Sequence, residues 1–558
     1  MNIPKFLSFL TLVGLSAAGS YNNPTVDLGY EIHQATFNES GQYYNFSNVR
    51  YAAPPLGNLR FAPPVAPTGK KVFNDGSKSR ICYQGIPSWT ALSAAWVANG
   101  TAAFNLSAGY QPPPITSLPP QDPASTEDCL FLDVMVPKTV FNKAGKGPGA
   151  PVMVWIHGGG YTLGSKLEYS PSAAGLMLES QDDGSEGIIW IGLNYRIGIF
   201  GFLSGPTFVS EGGTANNGLR DQRFALEWVQ QYIHLFGGDP KRVTIIGESA
   251  GGGSVTHQIT AYGGLKGPVP FQQAIVQSPG FQMTPSTFHE ESIFQEFLTT
   301  ANVKTLQQAR GMSSEQLQLA NWKIVGNSFP YGTFTFNPVV DGDFAPDLPG
   351  KLLLRGGFDK SLRIITGHNI DEGYNFMDPW AQTNAVFEED LRIYQPTITN
   401  EAVQYISKTL YPEKYDGSVG KSVVGFPNGY TNPTGRMDLL ITEAFFTCNT
   451  AWLMAAFENR FWSYIFTVPP SLHGDDIVYT YYNGPNFPAV GNNTLAQIMQ
   501  RYFTNFAQTG NPNGPDVPFF PTYGNDHTCL NLNLTFIDTI PDNTKNERCD
   551  WWQKGLYA

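Results

Sequence analysis

The hexapeptide Gly247-Glu248-Ser249-Ala250-Gly251-Gly252 constrains this chain more than any other stretch. It closes the apolar run Val243-Thr244-Ile245-Ile246 and opens a helix-compatible segment, so a serine between tiny residues sits where a strand passes into a helix. A G-x-S-x-G turn at such a junction forces its serine into a strained backbone and holds the hydroxyl clear of the chain, which only glycine-sized neighbours permit. The pattern occurs once. It predicts an exposed nucleophile at the end of a buried strand.

Other strand-like runs fit the same architecture. Val152–Ile156, Ile188–Leu193, Ala274–Val276 and Arg363–Ile365 are short apolar stretches that end in polar or glycine-rich loops, as buried parallel strands do. Leu219 to Phe236 carries Leu226, Val229 and Ile233 at helical spacing and stops at Gly237-Gly238. Strand, loop, helix, strand is the pattern of an α/β protein with a large, mostly parallel sheet. The length of 558 residues would allow three or four domains, but no repeat and no Pro-, Gly- or Ser-rich linker divides the chain. One catalytic domain over 21–558 is expected, with the Pro-rich stretch Gln111–Pro123 inside a surface flap.

Residues 1–20 read as a secretory signal: Lys5 supplies a positive charge, Phe6–Leu15 is apolar, and Ser16–Ser20 are small. No other run reaches about 18 apolar residues, so no transmembrane segment is expected. The net charge of −12 argues against a nucleic-acid partner. Five cysteines occur without a C-x-x-C pair, so no metal site is expected. Pairing sequence neighbours joins Cys82 to Cys129 and Cys529 to Cys549, leaving Cys448 as a buried thiol in an apolar setting. Six sequons, at Asn38, Asn45, Asn99, Asn105, Asn492 and Asn533, are candidate glycosylation sites.

A serine nucleophile needs a base, and the base needs a partner to hold its tautomer. Where the serine sits on this kind of turn, the acid and then the histidine follow it in the chain. Of the later histidines, His257 lies on the helix after the turn, His289 in a polar stretch, and His368 ahead of the best acid. His473, in Pro469-Pro470-Ser471-Leu472-His473-Gly474, follows the strand-like Trp462–Val468 and is preferred over His527. Glu372 follows a strand, but Asp371 and Asp341 are rivals that spacing does not separate. The run His157-Gly158-Gly159-Gly160-Tyr161 after Val152–Ile156 offers bare backbone N–H groups for a developing oxyanion. It does not fit a dinucleotide fingerprint, because position 163 is Leu163 rather than glycine.

The set Thr126–Leu132, His157–Tyr161, Asn194-Tyr195-Arg196, Phe236–Pro240, Gly247–Gly252, Asp371-Glu372-Gly373 and His473-Gly474 resembles the type-B carboxylesterase/lipase family, which includes cholinesterases and secreted fungal lipases and esterases. The motifs run in the family's order from about residue 27 to 552. The resemblance implies the α/β-hydrolase fold and hydrolysis of carboxylic esters without a cofactor. It implies Ser249 as nucleophile, Glu372 as the acid, His473 as the base, and Gly159, Gly160 and Ala250 as oxyanion donors. It also implies Glu248 as a supporting carboxylate and Cys82–Cys129 as the closure of a flap beside the site. The second disulfide common in the family has no cysteines here, and Trp89 and Trp96 of the flap do not align with a choline-binding tryptophan.

The flap's apolar residues, among them Trp89, Leu92, Trp96 and Val97, would suit contact with a lipid surface or the capping of a pocket. The expected substrate is a small-molecule or lipid ester of apolar character: acylglycerol, sterol, carotenoid or aryl. The alternatives are an acyltransferase that uses the same acyl-enzyme and a non-catalytic esterase-like binding protein.

Overall fold

A computed structural model describes residues 23–100, 104–105, 109–168, 173–181, 184–281, 287–328, 331–420, 429–484, 490–542 and 544–558. The expected signal segment lies outside them. A sheet of 11 strands forms the centre. From one edge to the other its strands are Ile537–Pro541, Thr528–Leu532, Trp462–Phe466, Arg363–Asn369, Gln273–Gln277, Gly238–Glu248, Ala150–Ile156, Ile189–Leu193, Phe131–Pro137, Tyr43–Arg50 and Thr36–Asn38. The strands from Thr528–Leu532 to Ile189–Leu193 run parallel, and antiparallel strands finish both edges.

The central strands are apolar throughout because both faces are covered. Ala150–Ile156 is buried at every position. Val152, Val154 and Ile156 enter one hydrophobic cluster while Met153 and Trp155 enter the other, as the two-residue period of a strand requires. The helix Asn217–Tyr232 buries Leu219, Leu226 and Val229. A 3₁₀ turn, Ile233–Phe236, continues it, and Gly237 at φ 90° ends it where the sequence places the stop.

The order of the strands positions the site. From Ala150–Ile156 the chain passes to Ile189–Leu193 on one side and then to Gly238–Glu248 on the other. Loops leaving two neighbouring strands in opposite directions open a crevice at their carboxyl ends. Ser249 and the run Gly158–Gly160 leave the two strands that flank this crevice.

The disulfides differ from the sequence reading. Cys82 is bonded to Cys129, but Cys549 is bonded to Cys448, not to Cys529. Neighbours in sequence are separated here because Cys529 lies inside the buried strand Thr528–Leu532. Cys549 lies on the following helix, Glu547–Gln553, which packs on Cys448–Ala456. Among the described residues Cys529 is the buried free thiol. The Cys448–Cys549 bridge spans 101 residues. Alkylation of the denatured, unreduced protein is expected to label Cys529 alone. Cys448→Ser is expected to lower the thermal midpoint through a loss of about 2–5 kcal/mol; a label on Cys448, or an unchanged midpoint, would contradict this pairing.

The flap is pinned to the body rather than splayed from it. In its helix Trp89–Asn99, Trp89 and Trp96 are each 2 % exposed. The Trp89 indole donates to the Thr333 carbonyl at 2.7 Å, and Ser93 Oγ donates to the Asn375 carbonyl at 2.8 Å. The tryptophans therefore pack inward, while Val97 faces solvent. Asn99 and Asn105 are exposed, and Asn38, Asn45, Asn492 and Asn533 are half-buried. Asn492 Oδ1 caps the helix Asn493–Thr509 by accepting from Leu495 N. Pro433–Ala456 is long and apolar enough to cross a bilayer, with mean hydropathy 1.3, but 83 % of that window is buried inside the protein, as in a core helix.

Candidate active site

Ser249 has φ 58° and ψ −126° between the strand Gly238–Glu248 and the helix Ala250–Ile259. The left-handed φ at a non-glycine residue is the strain expected of the turn. A side chain at Gly251 would place its Cβ 2.1 Å from the Ile156 carbonyl oxygen, and one at Gly247 would lie 2.6 Å from the Gly251 backbone. The two glycines let the turn close against the neighbouring strand.

Glu372 follows the strand Arg363–Asn369 and His473 follows Trp462–Phe466. The sheet brings them to the same side as Ser249, at the carboxyl ends of its central strands. His473 Nδ1 is 2.5 Å from Glu372 Oε2, and the Glu372 side chain is fully buried. Glu372 Oε1 accepts from Ser278 Oγ at 2.7 Å and from Asn369 N at 2.5 Å. Burial pushes this carboxyl upward, but the charge of His473 and these hydrogen bonds hold it below its ordinary value. Asp371 instead lies beside Asp438, and Asp341 accepts from Asn216 and Arg220. The rival carboxylates thus face away from His473.

His473 is held from several sides. The Phe446 and Phe376 rings lie 4.4 and 5.1 Å from the imidazole, centroid to centroid. Its Nε2 is 3.3 Å from Glu248 Oε1. Burial lowers its pKa, but the Glu248 and Glu372 carboxylates outweigh that and raise it to about 9. Glu248 itself is pushed up to about 8, chiefly by burial. The other candidate histidines are elsewhere: His257 is buried against Phe281, and His368 Nδ1 meets the Asn369 carbonyl.

The glycine run packs directly on Ser249. A Cβ at Gly158 would lie 3.0 Å from Ser249 Cβ. Gly159 and Gly160 have φ of 99° and 57°. Their N–H groups donate to no backbone carbonyl among the described residues. Ala250 begins the helix after Ser249, so its N–H is one of the four that a helix leaves unpaired at its start. Gly159, Gly160 and Ala250 line the cavities that Ser249 also lines, and unpaired amides of this kind can stabilise an oxyanion.

Two cavities meet at Ser249. One is lined by Trp89, Glu168, Glu248, Ser249, Phe376 and His473 beneath the flap. The other is mostly apolar and lies among Gly160, Phe281, Phe334, Phe376, Phe445 and Phe446. Phe445 and Phe446 project from a π-helical turn, Thr442–Thr447, inside the long helix. Such turns concentrate at functional sites.

Sequence reasoning missed Ser278, Glu168 and the phenylalanines. Ser278 had a usable signal, because it directly follows the apolar run of the strand Gln273–Gln277, as the other site residues follow theirs. The phenylalanines had none, since an aromatic residue reads alike in a core and in a pocket wall.

Residues 31–552 match the model of the Carboxylesterase family. The chain is 41 % identical over 562 residues to "Carboxylesterase patB" of Aspergillus clavatus, covering 98 % of this chain and 99 % of that protein. It is 32 % identical to "Lipase 1" of Geotrichum candidum, over 85 % of each. The crystal structure of Aspergillus niger EstA superposes with a TM-score of 0.77 at 26 % identity, covering 95 % of this chain and 98 % of that one. Given the sheet, the crevice and these likenesses, the chain belongs to the carboxylesterase family and is a carboxylic ester hydrolase of the α/β-hydrolase fold.

Proposed function

We propose that ester hydrolysis here runs through Ser249, His473 and Glu372 by way of an acyl-enzyme. The observation that carries this reading is the 2.5 Å contact between His473 and Glu372 beside a cavity that Ser249 also lines. His473 takes the Ser249 proton as Oγ attacks the ester carbonyl, and Glu372 holds the imidazolium. The amides of Gly159, Gly160 and Ala250 receive the oxyanion. His473 then protonates the departing alcohol. Water, deprotonated by His473, releases the carboxylic acid and restores Ser249. No cofactor takes part.

The aromatic cavity would hold the acyl group and the flap-covered cavity the alcohol. Apolar esters such as acylglycerols, sterol, carotenoid and aryl esters fit walls of this composition. We further read residues 1–20 as a signal peptide, 21–558 as one catalytic domain and the mature enzyme as secreted, in keeping with its two disulfides. Asn99 and Asn105 suit glycans better than Asn492, whose side chain already caps a helix.

The test is covalent. An organophosphate is expected to label one residue per chain, Ser249, with parallel loss of nitrophenyl ester hydrolysis. Label elsewhere, or activity that survives full labelling, would refute the mechanism.

A further inference from the structure

The turn that carries Glu372 is held from both sides. Toward the His473 loop, Ile370 N donates to Ser471 Oγ and Asp371 N to the Ser471 carbonyl, each at 3.0 Å. On the other side the turn meets the helix Pro433–Ile441, which runs into the π-helical turn of Phe445 and Phe446. Gly373 N donates to Thr442 Oγ1 at 2.8 Å, and Thr442 Oγ1 donates to Asp438 Oδ1 at 3.4 Å. A Cβ at Gly373 would lie 2.4 Å from the Asp438 carbonyl oxygen and 2.7 Å from its Oδ1, so the turn packs directly on Asp438.

Asp371 adds a second contact to the same residue. Its side chain hydrogen-bonds the Asp438 side chain, and of two carboxyls only a protonated one can donate. Asp371 Oδ1 is buried and meets no N–H or hydroxyl group. No cation balances the pair among the described residues: the titratable groups facing it are Glu372 and Tyr374 of the same turn. His473 is engaged by Glu372, and Glu443, farther along the helix, is turned to Arg548 and Tyr411. Burial raises both carboxyls, Asp371 to about 6, and the charge of Asp371 and the bond to it lift Asp438 further. One proton therefore stays in the pair through neutral pH and leaves only as pH rises.

We propose that Asp438 is a positioning residue: the proton it shares with Asp371 clamps the Glu372 turn to the helix that carries Phe446, whose ring lies 4.4 Å from that of His473. This rests on the mechanism proposed above. Once the proton is lost to solvent, two like charges face each other in a buried contact and push turn and helix apart. Glu372 and Phe446 then lose their common support beside His473.

The test measures kcat and KM for p-nitrophenyl butanoate from neutral to alkaline pH in wild type, Asp438→Asn and Asp438→Ala, with circular dichroism at each pH. Wild-type kcat is expected to fall reversibly at the alkaline end while the fold persists. Asp438→Ala is expected to lower kcat about tenfold at neutral pH with KM little changed, the scale of one lost hydrogen bond to a charged group. Asp438→Asn can donate to Asp371 at every pH and still accept from Thr442, so it is expected to recover most of kcat and to lack the alkaline fall. A residue that only held up the fold would move the thermal midpoint and leave that limb in place. The proposal is overturned by a wild type without the alkaline fall, by an Asp438→Asn variant that keeps it unshifted, or by a folded Asp438→Ala variant with wild-type kcat. If Asp438→Ala does not fold, the Asp438→Asn profile decides alone. Hydrolysis that survives full labelling of Ser249 would instead remove the mechanism on which the proposal stands.

Discussion

Ser249→Ala is expected to lower kcat on a simple nitrophenyl ester by about 10⁶-fold, the loss typical when a serine hydrolase forfeits its nucleophile. Nothing beside Ser249 can replace it. Ala250 and Glu248 flank it, and Glu248 Oε1 is already engaged 3.3 Å from His473 Nε2. The slow rate that remains should come from the oxyanion amides and substrate binding, which act without the hydroxyl. The fold should survive, because alanine keeps the same Cβ in the same turn and Gly247 and Gly251 still permit its close packing. Steady-state kinetics with circular dichroism checks both halves. A folded variant within tenfold of wild type would mean that some other group does the chemistry.

Glu372→Gln should follow at about 10⁴-fold, the scale of losing the carboxylate that fixes a catalytic imidazole. Glutamine keeps the shape and can still accept a hydrogen bond through its oxygen. It supplies no charge, and its amide can turn an N–H toward His473 and favour the wrong tautomer. The pH profile adds a second reading. In the proposed role His473 serves as a base only when neutral, and neighbouring carboxylates raise its pKa to about 9. Removing one of those charges favours the neutral ring, so the ascending limb of kcat/KM should move to lower pH in the variant. A limb that stayed fixed or rose would show that Glu372 does not act on the base.

Much of this site could be read from the sequence because strand-end chemistry is local. The glycines around Ser249, the run at Gly158–Gly160 and the loop of His473 each follow an apolar run, and the parallel sheet brings the carboxyl ends of those runs to one side. Glu372 was less legible, as Asp371 and Asp341 share its local pattern; the family resemblance alone chose it in the sequence, and its contact with His473, with Ser278 and Asn369 behind it, sets it apart in three dimensions. The Cys529–Cys549 expectation failed for the same reason. Proximity along the chain says nothing about which face of a strand or helix a cysteine occupies. The cavity walls come from segments as distant as Phe281 and Phe446, and no local rule joins such residues.

The Cys448–Cys549 bond has a consequence for the order in which the enzyme can be completed. It fastens the helix that continues from Phe445 and Phe446 to a segment translated long after Ser249 has left the ribosome. The nucleophile turn and the glycine run come from strands made early, and they can pair while synthesis continues. The aromatic wall receives its covalent anchor only when Cys549 arrives. Until then the nascent chain can hold Ser249 in its turn while the aromatic wall beside it stays unfastened.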